Sequence, residues 1–266
     1  MTKYKELRGT HTQEAAAAKT GISVSSARRI ESRVALPSQR AQRHWRTRAD
    51  PLRKFHERAV LLTSANPEPY LKAPIQLPAH ALEIFFDIEV DPMRDICYLH
   101  GFVERRDRDP ASERYIPFYV DAATPEAEAA AFAAAWHYIR AKQPCAIYYY
   151  SKYERTIWRK LQGKYPAVCT AEAMEQLFDP TNTVDVYFDV VRSKTEWPTN
   201  DFSIKTLAKY LGFKWRDTHP SGATSIQWFD EWVRTSDPAI RQRILDYNED
   251  DYLATRVLLD GLRALA

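Results

Sequence analysis

Residues Leu82-Glu83-Ile84-Phe85-Phe86-Asp87-Ile88-Glu89-Val90 decide how this 266-residue chain is read. The run is apolar and strand-prone, yet Asp87 and Glu89 stand inside it two positions apart, so in a strand both side chains leave the same face. Adjacent carboxylates on a buried strand repel each other and lose hydration unless a cation lies between them. An all-oxygen pair suits a hard divalent ion, Mg²⁺ or Mn²⁺. The plainer alternative is an exposed strand with two solvated acids, and Phe85, Phe86, Ile88 and Val90 argue against it.

Working outward, Ile96 to Glu104 and Arg114 to Val120 read as two further strands separated by the polar loop Arg105 to Ser112. Together with the first run they predict a three-stranded antiparallel meander. Thr124 as N-cap and Pro125 at the first helical position open an alanine-rich helix that runs to about Ala141. Cys145 to Tyr150 is a short apolar strand, expected parallel to the first, and it leads into a helix from about Ser151 to Gln162. The expected fold is therefore α/β, a mixed sheet flanked by helices in the ribonuclease-H-like order.

On these residues the body resembles the DEDD superfamily of metal-dependent exonucleases, and more closely the ribonuclease-H-like domain of RecB-like bacterial nucleases. Asp87 and Glu89 match the family's Asp-x-Glu first motif. The second acid of the family follows the fourth strand in a pattern close to Asn-x-x-Phe-Asp; here Tyr150-Ser151-Lys152-Tyr153-Glu154 puts Glu154 in that place, where the superfamily prefers aspartate. Val184-Asp185-Val186-Tyr187 and Ser203-Ile204-Lys205-Thr206-Leu207 resemble helical markers between the second and third motifs. Asp185 reads there as a helix cap or hydrogen-bonding residue. Lys205 reads as a phosphate contact, with a solvated surface lysine as the alternative. Tyr247-Asn248-Glu249-Asp250-Asp251 contains Tyr-x-x-x-Asp, the form in which tyrosine replaces the histidine of sister enzymes. On a helix Tyr247 and Asp251 share a face, while Asp250 is expected to point elsewhere as a surface acid.

The resemblance spans residues 81–266 and implies two-metal phosphodiester hydrolysis with Mg²⁺ or Mn²⁺ as cofactor. It assigns Asp87 to bridge both ions, Glu89 and Asp251 to the ion that activates water, Glu154 to the second ion, and Tyr247 to orienting the water. The implied activity is 3′-to-5′ exonuclease cleavage of single-stranded DNA or frayed ends, with RNA as the other candidate substrate.

The chain carries 38 Lys and Arg against 35 Asp and Glu, but the balance is uneven along its length. Residues 1–58 hold 14 basic and 5 acidic side chains, a net of +9, and the remaining 208 hold 24 and 30, a net of −6. That division predicts a basic module on a body of different chemistry, and Pro67, Pro69, Pro74 and Pro78 mark a semi-rigid linker over residues 59–80. Within the module, Gln13 to Lys19 and Val24 to Glu31 read as two helices around Gly21. Ala17, Gly21 and Ile30 fall at helix-turn-helix spacing, with Ile22 and Ala27 as core contacts and Ser23 as N-cap. Arg28, Arg29, Arg33, Arg43 and Arg46 are then candidate phosphate contacts, the alternative being a small alanine-rich hairpin with solvated arginines. His44 to Pro51 also resembles the N-terminal region of certain insertion-sequence transposases, without a transposase core behind it.

Three separated cysteines offer neither a disulfide framework nor a Cys-x-x-Cys zinc site, and no apolar run approaches the roughly 18 residues of a membrane span. A cytoplasmic protein with a nucleic-acid partner and no membrane or small-molecule cofactor is expected. A contrasting reading is a DNA-binding regulator whose body is a catalytically silent scaffold. Trp215, Trp228, Phe229 and Trp232 are expected to pack the core rather than stack on bases.

Overall fold

The computed structural model describes residues 2–31 and 51–266, and the chain divides into two compact units, Met1–Phe55 and His56–Ala266. The first unit contains α1 (Thr2–Arg8), α2 (Gln13–Thr20) and α3 (Val24–Glu31). Gly21 ends α2 in the left-handed conformation at φ 69°, as the turn of the sequence pattern requires. Ala16, Ala17 and Ala27 are buried against Tyr4, with Ile22 and Ile30 partly covered. The helix α1, not foreseen in the sequence, is tied to α3 through Glu31, which accepts from the Tyr4 hydroxyl at 2.6 Å and from Gln13 at 2.7 Å. Arg28 is exposed on α3. Arg29 lies in the same helix, and Arg33, Arg43 and Arg46 fall outside the described residues.

In the second unit α4 (Pro51–Thr63), which carries the boundary, precedes β1 (Tyr70–Leu71), β2 (Leu82–Asp91), β3 (Ile96–Arg106) and β4 (Arg114–Tyr119). Then come α5 (Pro125–Ala141), β5 (Ala146–Tyr149), α6 (Tyr153–Lys164), α7 (Ala171–Leu177) and β6 (Thr183–Asp185). A π-helical turn (Val186–Val191), α8 (Arg192–Lys194), β7 (Thr195–Glu196), α9 (Ile204–Tyr210), α10 (Gly222–Thr235) and α11 (Pro238–Leu265) complete it. Part of the stretch read as a linker is laid against the body. The strand β1 pairs with β7, and Lys72 reaches Glu196 at 3.2 Å; just before that stretch, Arg58 lies over the Phe202 ring at 4.1 Å.

The main sheet has the order β4-β3-β2-β5-β6, antiparallel among the first three strands and parallel from β2 to β6. The strand β2 is central, which explains its unbroken apolar character: both faces are covered. Ile84, Phe86 and Ile88 face Phe132 of α5, Trp158 of α6 and Met174 of α7. Phe85, on the opposite face, packs with Tyr252 and Leu258 of α11. Asp87 and Glu89 follow Phe85 at alternate positions and so point toward α11.

At the far end of the same face, Glu83 and the fully buried Arg105 join β2 and β3 to α11. Arg105 donates to Glu83 at 2.7 Å and reaches Asp260 twice, at 2.7 and 2.9 Å, while Arg263 also pairs with Glu83. Every carboxylate oxygen of this network is paired, as acids held away from water require, while Arg263 Nε is buried without a partner.

Candidate metal centre

Asp87, Glu89 and Asp251 each offer a carboxylate oxygen, and these atoms all lie within 4.8 Å of one another. Strand β2 supplies the first two and α11 the third. Glu154, in the first turn of α6, is 3 % exposed, and its carboxyl is raised by burial and then by the charge of Asp87 beside it. Its Oε2 is buried without a hydrogen-bond partner.

Asp87, Glu89 and Asp251 are each held from behind. Tyr115 and Tyr252 donate to Asn248 Oδ1 at 2.8 and 2.9 Å, which turns the amide so that Nδ2 donates to Asp87 Oδ2 at 3.1 Å. The Tyr98 hydroxyl meets Glu89 Oε2 at 3.2 Å and Ser225 of α10 at 2.7 Å. The Trp215 indole donates to Asp251 Oδ1 at 2.7 Å. The Tyr247 hydroxyl, close enough to Asp251 to be raised by its charge, accepts from Lys205 Nζ at 3.0 Å; Lys205 also donates to the Pro220 carbonyl at 2.8 Å. Among the four acids Lys205 is the cation that lowers both Asp87 and Asp251.

Burial, reinforced by the charge of Asp251, pushes Asp87 up to about 7. Burial and the neighbouring acids raise Glu89 and Glu154 well above the usual carboxylate range. Burial also raises Asp251, against the pull of Lys205, Trp215 and Tyr247. The Tyr247 phenol is raised by burial and by Asp251, so it stays protonated. Four carboxylates facing one ammonium leave a negative deficit that protons fill in the ion-free protein. Hard divalent cations fit the same place: the donors are all oxygen, and Glu154 Oε2 is a buried acceptor waiting for a partner.

The sequence motifs thus converge: Asp87, Glu89, Glu154, Tyr247 and Asp251 meet at one end of β2, with Lys205 beside them. Asp250 departs from expectation. It is 3 % exposed and accepts from the Arg216 backbone at 2.7 Å and its guanidinium at 2.9 Å, because the loop after α9 folds over that side of α11. Asp185 ends β6 and caps the π-helical turn, accepting from Phe188 N at 2.9 Å and from Ser151 N at 3.2 Å. Trp228, Phe229 and Trp232 pack with Tyr98 in the core, as anticipated. Trp215 packs with Ala208 and Ala254 in a smaller cluster, as anticipated, and its indole also serves an acid. Asn248 and Tyr252 were legible in principle: at 100° per residue, positions 247, 248, 251 and 252 fall within an arc of about 140°.

A five-stranded mixed sheet with carboxylates gathered at the end of its central strand defines a ribonuclease-H-like domain, a nuclease-type scaffold for nucleic acid. The RNase_H_2 family model, of the RNase_H superfamily, matches residues 84–263, and the chain belongs to that family. Comparison with curated proteins and with solved structures gave no match. Among the described residues no helix is long and apolar enough to cross a membrane.

Proposed function

We propose that the body of this protein is a tyrosine-type DEDD exonuclease that removes nucleotides from the 3′ end of single-stranded or frayed DNA. The observation that carries the proposal is the approach of Asp87, Glu89 and Asp251 to within 4.8 Å inside a shell of hydrogen-bond donors. A silent scaffold has no use for four mutually repelling acids, each of which costs stability when buried. Divalent cations bound there would ionise water and neutralise charge at the scissile phosphate.

The residues divide the work. Asp87, Glu89, Asp251 and Glu154 hold the cations; the network behind them fixes the oxygens. Tyr247, protonated, orients the attacking water with its hydroxyl. Lys205 offsets charge at the phosphate. The basic first unit contributes duplex affinity through Arg28, Arg29, Arg33, Arg43 and Arg46, in the manner of a helix-turn-helix module.

Hydrolysis of oligonucleotides labelled at either end, as DNA and as RNA, with and without Mn²⁺, tests the proposal. Expected is Mn²⁺-dependent shortening from the 3′ end, lost in Asp87→Ala. Mn²⁺-independent cleavage, full activity in Asp87→Ala, or no cleavage of any substrate would reject it.

A further inference from the structure

The loop between α9 and α10 is fastened to the candidate centre at two points: Trp215 donates to Asp251, and Lys205 donates to the carbonyl of Pro220. Between those points the loop walls a pocket of about 400 Å³ lined by Lys209, Phe213, Lys214, Trp215, Asp217 and Pro220, among others. The pocket therefore shares a wall, the Trp215 indole, with the third acid.

Its chemistry is that of a strand-binding groove. Lys209 and Lys214 are exposed, and their side chains form no hydrogen bond or ion pair with any described residue. Lys209 follows Lys205 by one turn of α9, on the same face, so the ammonium groups lead away from the acids along the helix. The acid in the wall, Asp217, is already neutralised: Arg243 pairs with it at 2.7 Å and its carboxylate accepts from His219 N at 2.9 Å. Arg216, the guanidinium nearest in sequence, is engaged by Asp246, Glu249 and Asp250 and is not free for a phosphate. Phe213 meets Trp215 edge to face at 4.8 Å and is only half-buried, which leaves aromatic surface toward the pocket.

We infer that this pocket binds the substrate strand next to the scissile phosphate, with Lys209 and Lys214 on consecutive backbone phosphates and Phe213 against a base. The inference rests on the nuclease reading and adds a site to it. Its ligand is a single-stranded phosphodiester chain, recognised by backbone charge and one stacking face, which tolerates any base. Because Trp215 also holds Asp251, an occupied pocket fixes the indole, and with it the position of a metal-binding oxygen.

The test uses the full chain with Ca²⁺ in place of Mg²⁺, fluorescein-labelled oligothymidylate and oligouridylate, and anisotropy titrations across a salt series. The Lys209→Ala/Lys214→Ala double variant should bind at least tenfold more weakly. Its slope of log affinity against log salt should be shallower by about 1.4, the share of two charges on a single strand. Phe213→Leu, which keeps the apolar contact but not the flat face, should lose about tenfold without a change in salt slope. Mn²⁺ affinity and melting temperature should match wild type in all variants. Wild-type affinity and salt slope in the double variant, with wild-type protein still binding, overturns this site alone. Failure of the wild-type protein to bind either oligonucleotide overturns the nuclease reading and this inference together. Equal losses on both oligonucleotides support backbone recognition; a loss confined to one would overturn it.

Discussion

Gly101 stands directly across the β2–β3 ladder from Asp87, and the space its side chain would take is filled by Asn248 and Tyr252 of α11. A Cβ there would meet the Tyr252 hydroxyl and lie 2.5 Å from Asn248 Oδ1. The close approach of the helix that carries the third acid thus depends on a missing methyl group in the neighbouring strand. Gly101→Ala should cost about 1–3 kcal/mol of stability. It should also weaken Mn²⁺ binding, because Asn248 can no longer present its amide to Asp87. Thermal melts and titration calorimetry on the same protein check both effects; unchanged values would show that α11 has slack here.

Asn248 makes a sharper case because its orientation is over-determined. Replacing it by Ala removes the side-chain donor of Asp87 and the acceptor of Tyr115, while Tyr252 keeps the Asp87 carbonyl at 2.9 Å. Mn²⁺ affinity should fall about 10- to 100-fold, the usual effect of losing a group that orients a metal ligand. Asn248→Asp should lower the melting temperature of the ion-free protein further than Asn248→Ala does, since it adds another charge beside four acids. Wild-type affinity in Asn248→Ala would mean that the amide is packing only.

Tyr247 and Asp251 should fail differently. Tyr247→Phe keeps the ring against Trp228 and removes the hydroxyl, so Mn²⁺ affinity should be nearly unchanged while single-turnover cleavage slows by roughly 10²-fold. Asp251→Asn should weaken metal binding itself. Wild-type cleavage by Tyr247→Phe would reduce the residue to a core aromatic.

The raised carboxyls set a pH dependence. Asp87 titrates near 3.8 when unfolded and at about 7 when folded and ion-free, so the folded form holds more protons between those values. Its contribution to stability is complete below the lower value and is lost as pH rises through the upper one. His100 pulls the other way: burial lowers it to about 3, and its neutral form gains stability up to the unfolded value of 6.5. Above about pH 6.5 the acids act alone, and the melting temperature of EDTA-treated protein should fall from pH 6.5 to 8. Mg²⁺ should raise it more at pH 8 than at pH 6.5, and Asp87→Asn should flatten the fall. A rising or flat profile in EDTA would contradict the buried cluster of mutually repelling acids.

Ser151 joins β5 to α6 at φ 95°, a left-handed backbone uncommon for a residue with a side chain, and Asp185 accepts its N–H. That turn launches the helix on which Glu154 sits. Asp185→Ala should let the turn relax and should weaken metal binding. Ser151→Gly, which adopts the same backbone without strain, should restore much of the loss in the double variant. No rescue would assign Asp185 a different role.

The parts of the fold that were legible in the sequence are those set by local periodicity. The strand run around Asp87, the meander, the Thr124-Pro125 helix start and the parallel return strand all follow from patterns a few residues long. The pairing of Asp87 with Glu89 and of Tyr247 with Asp251 is of the same kind, a spacing of two in a strand and four in a helix. Glu154 came only from a resemblance, since nothing in Tyr153-Glu154-Arg155 separates it from a solvated helix acid. Trp215 on Asp251, Ser225 behind Tyr98, and Gly101 under Asn248 join residues 36, 127 and 147 positions apart, and only the folded chain brings them together. Asp250 was misread for that reason: the helix gave its direction, but its partner Arg216 sits on a loop with no periodicity to announce it.

The ion cluster of Glu83, Arg105, Asp260 and Arg263 lies at the opposite end of β2 and α11 from the acids, yet it sets their aim. Arg263 follows Asp251 by twelve residues, about 18 Å along the helix axis. With its C-terminal end pinned, α11 is a lever: a swing of about 3° at the pin carries Asp251 roughly 1 Å out of register with Asp87, a displacement large enough to cost a reaction two orders of magnitude. A charge swap far from any substrate can therefore blunt this centre as surely as the loss of one of its own acids.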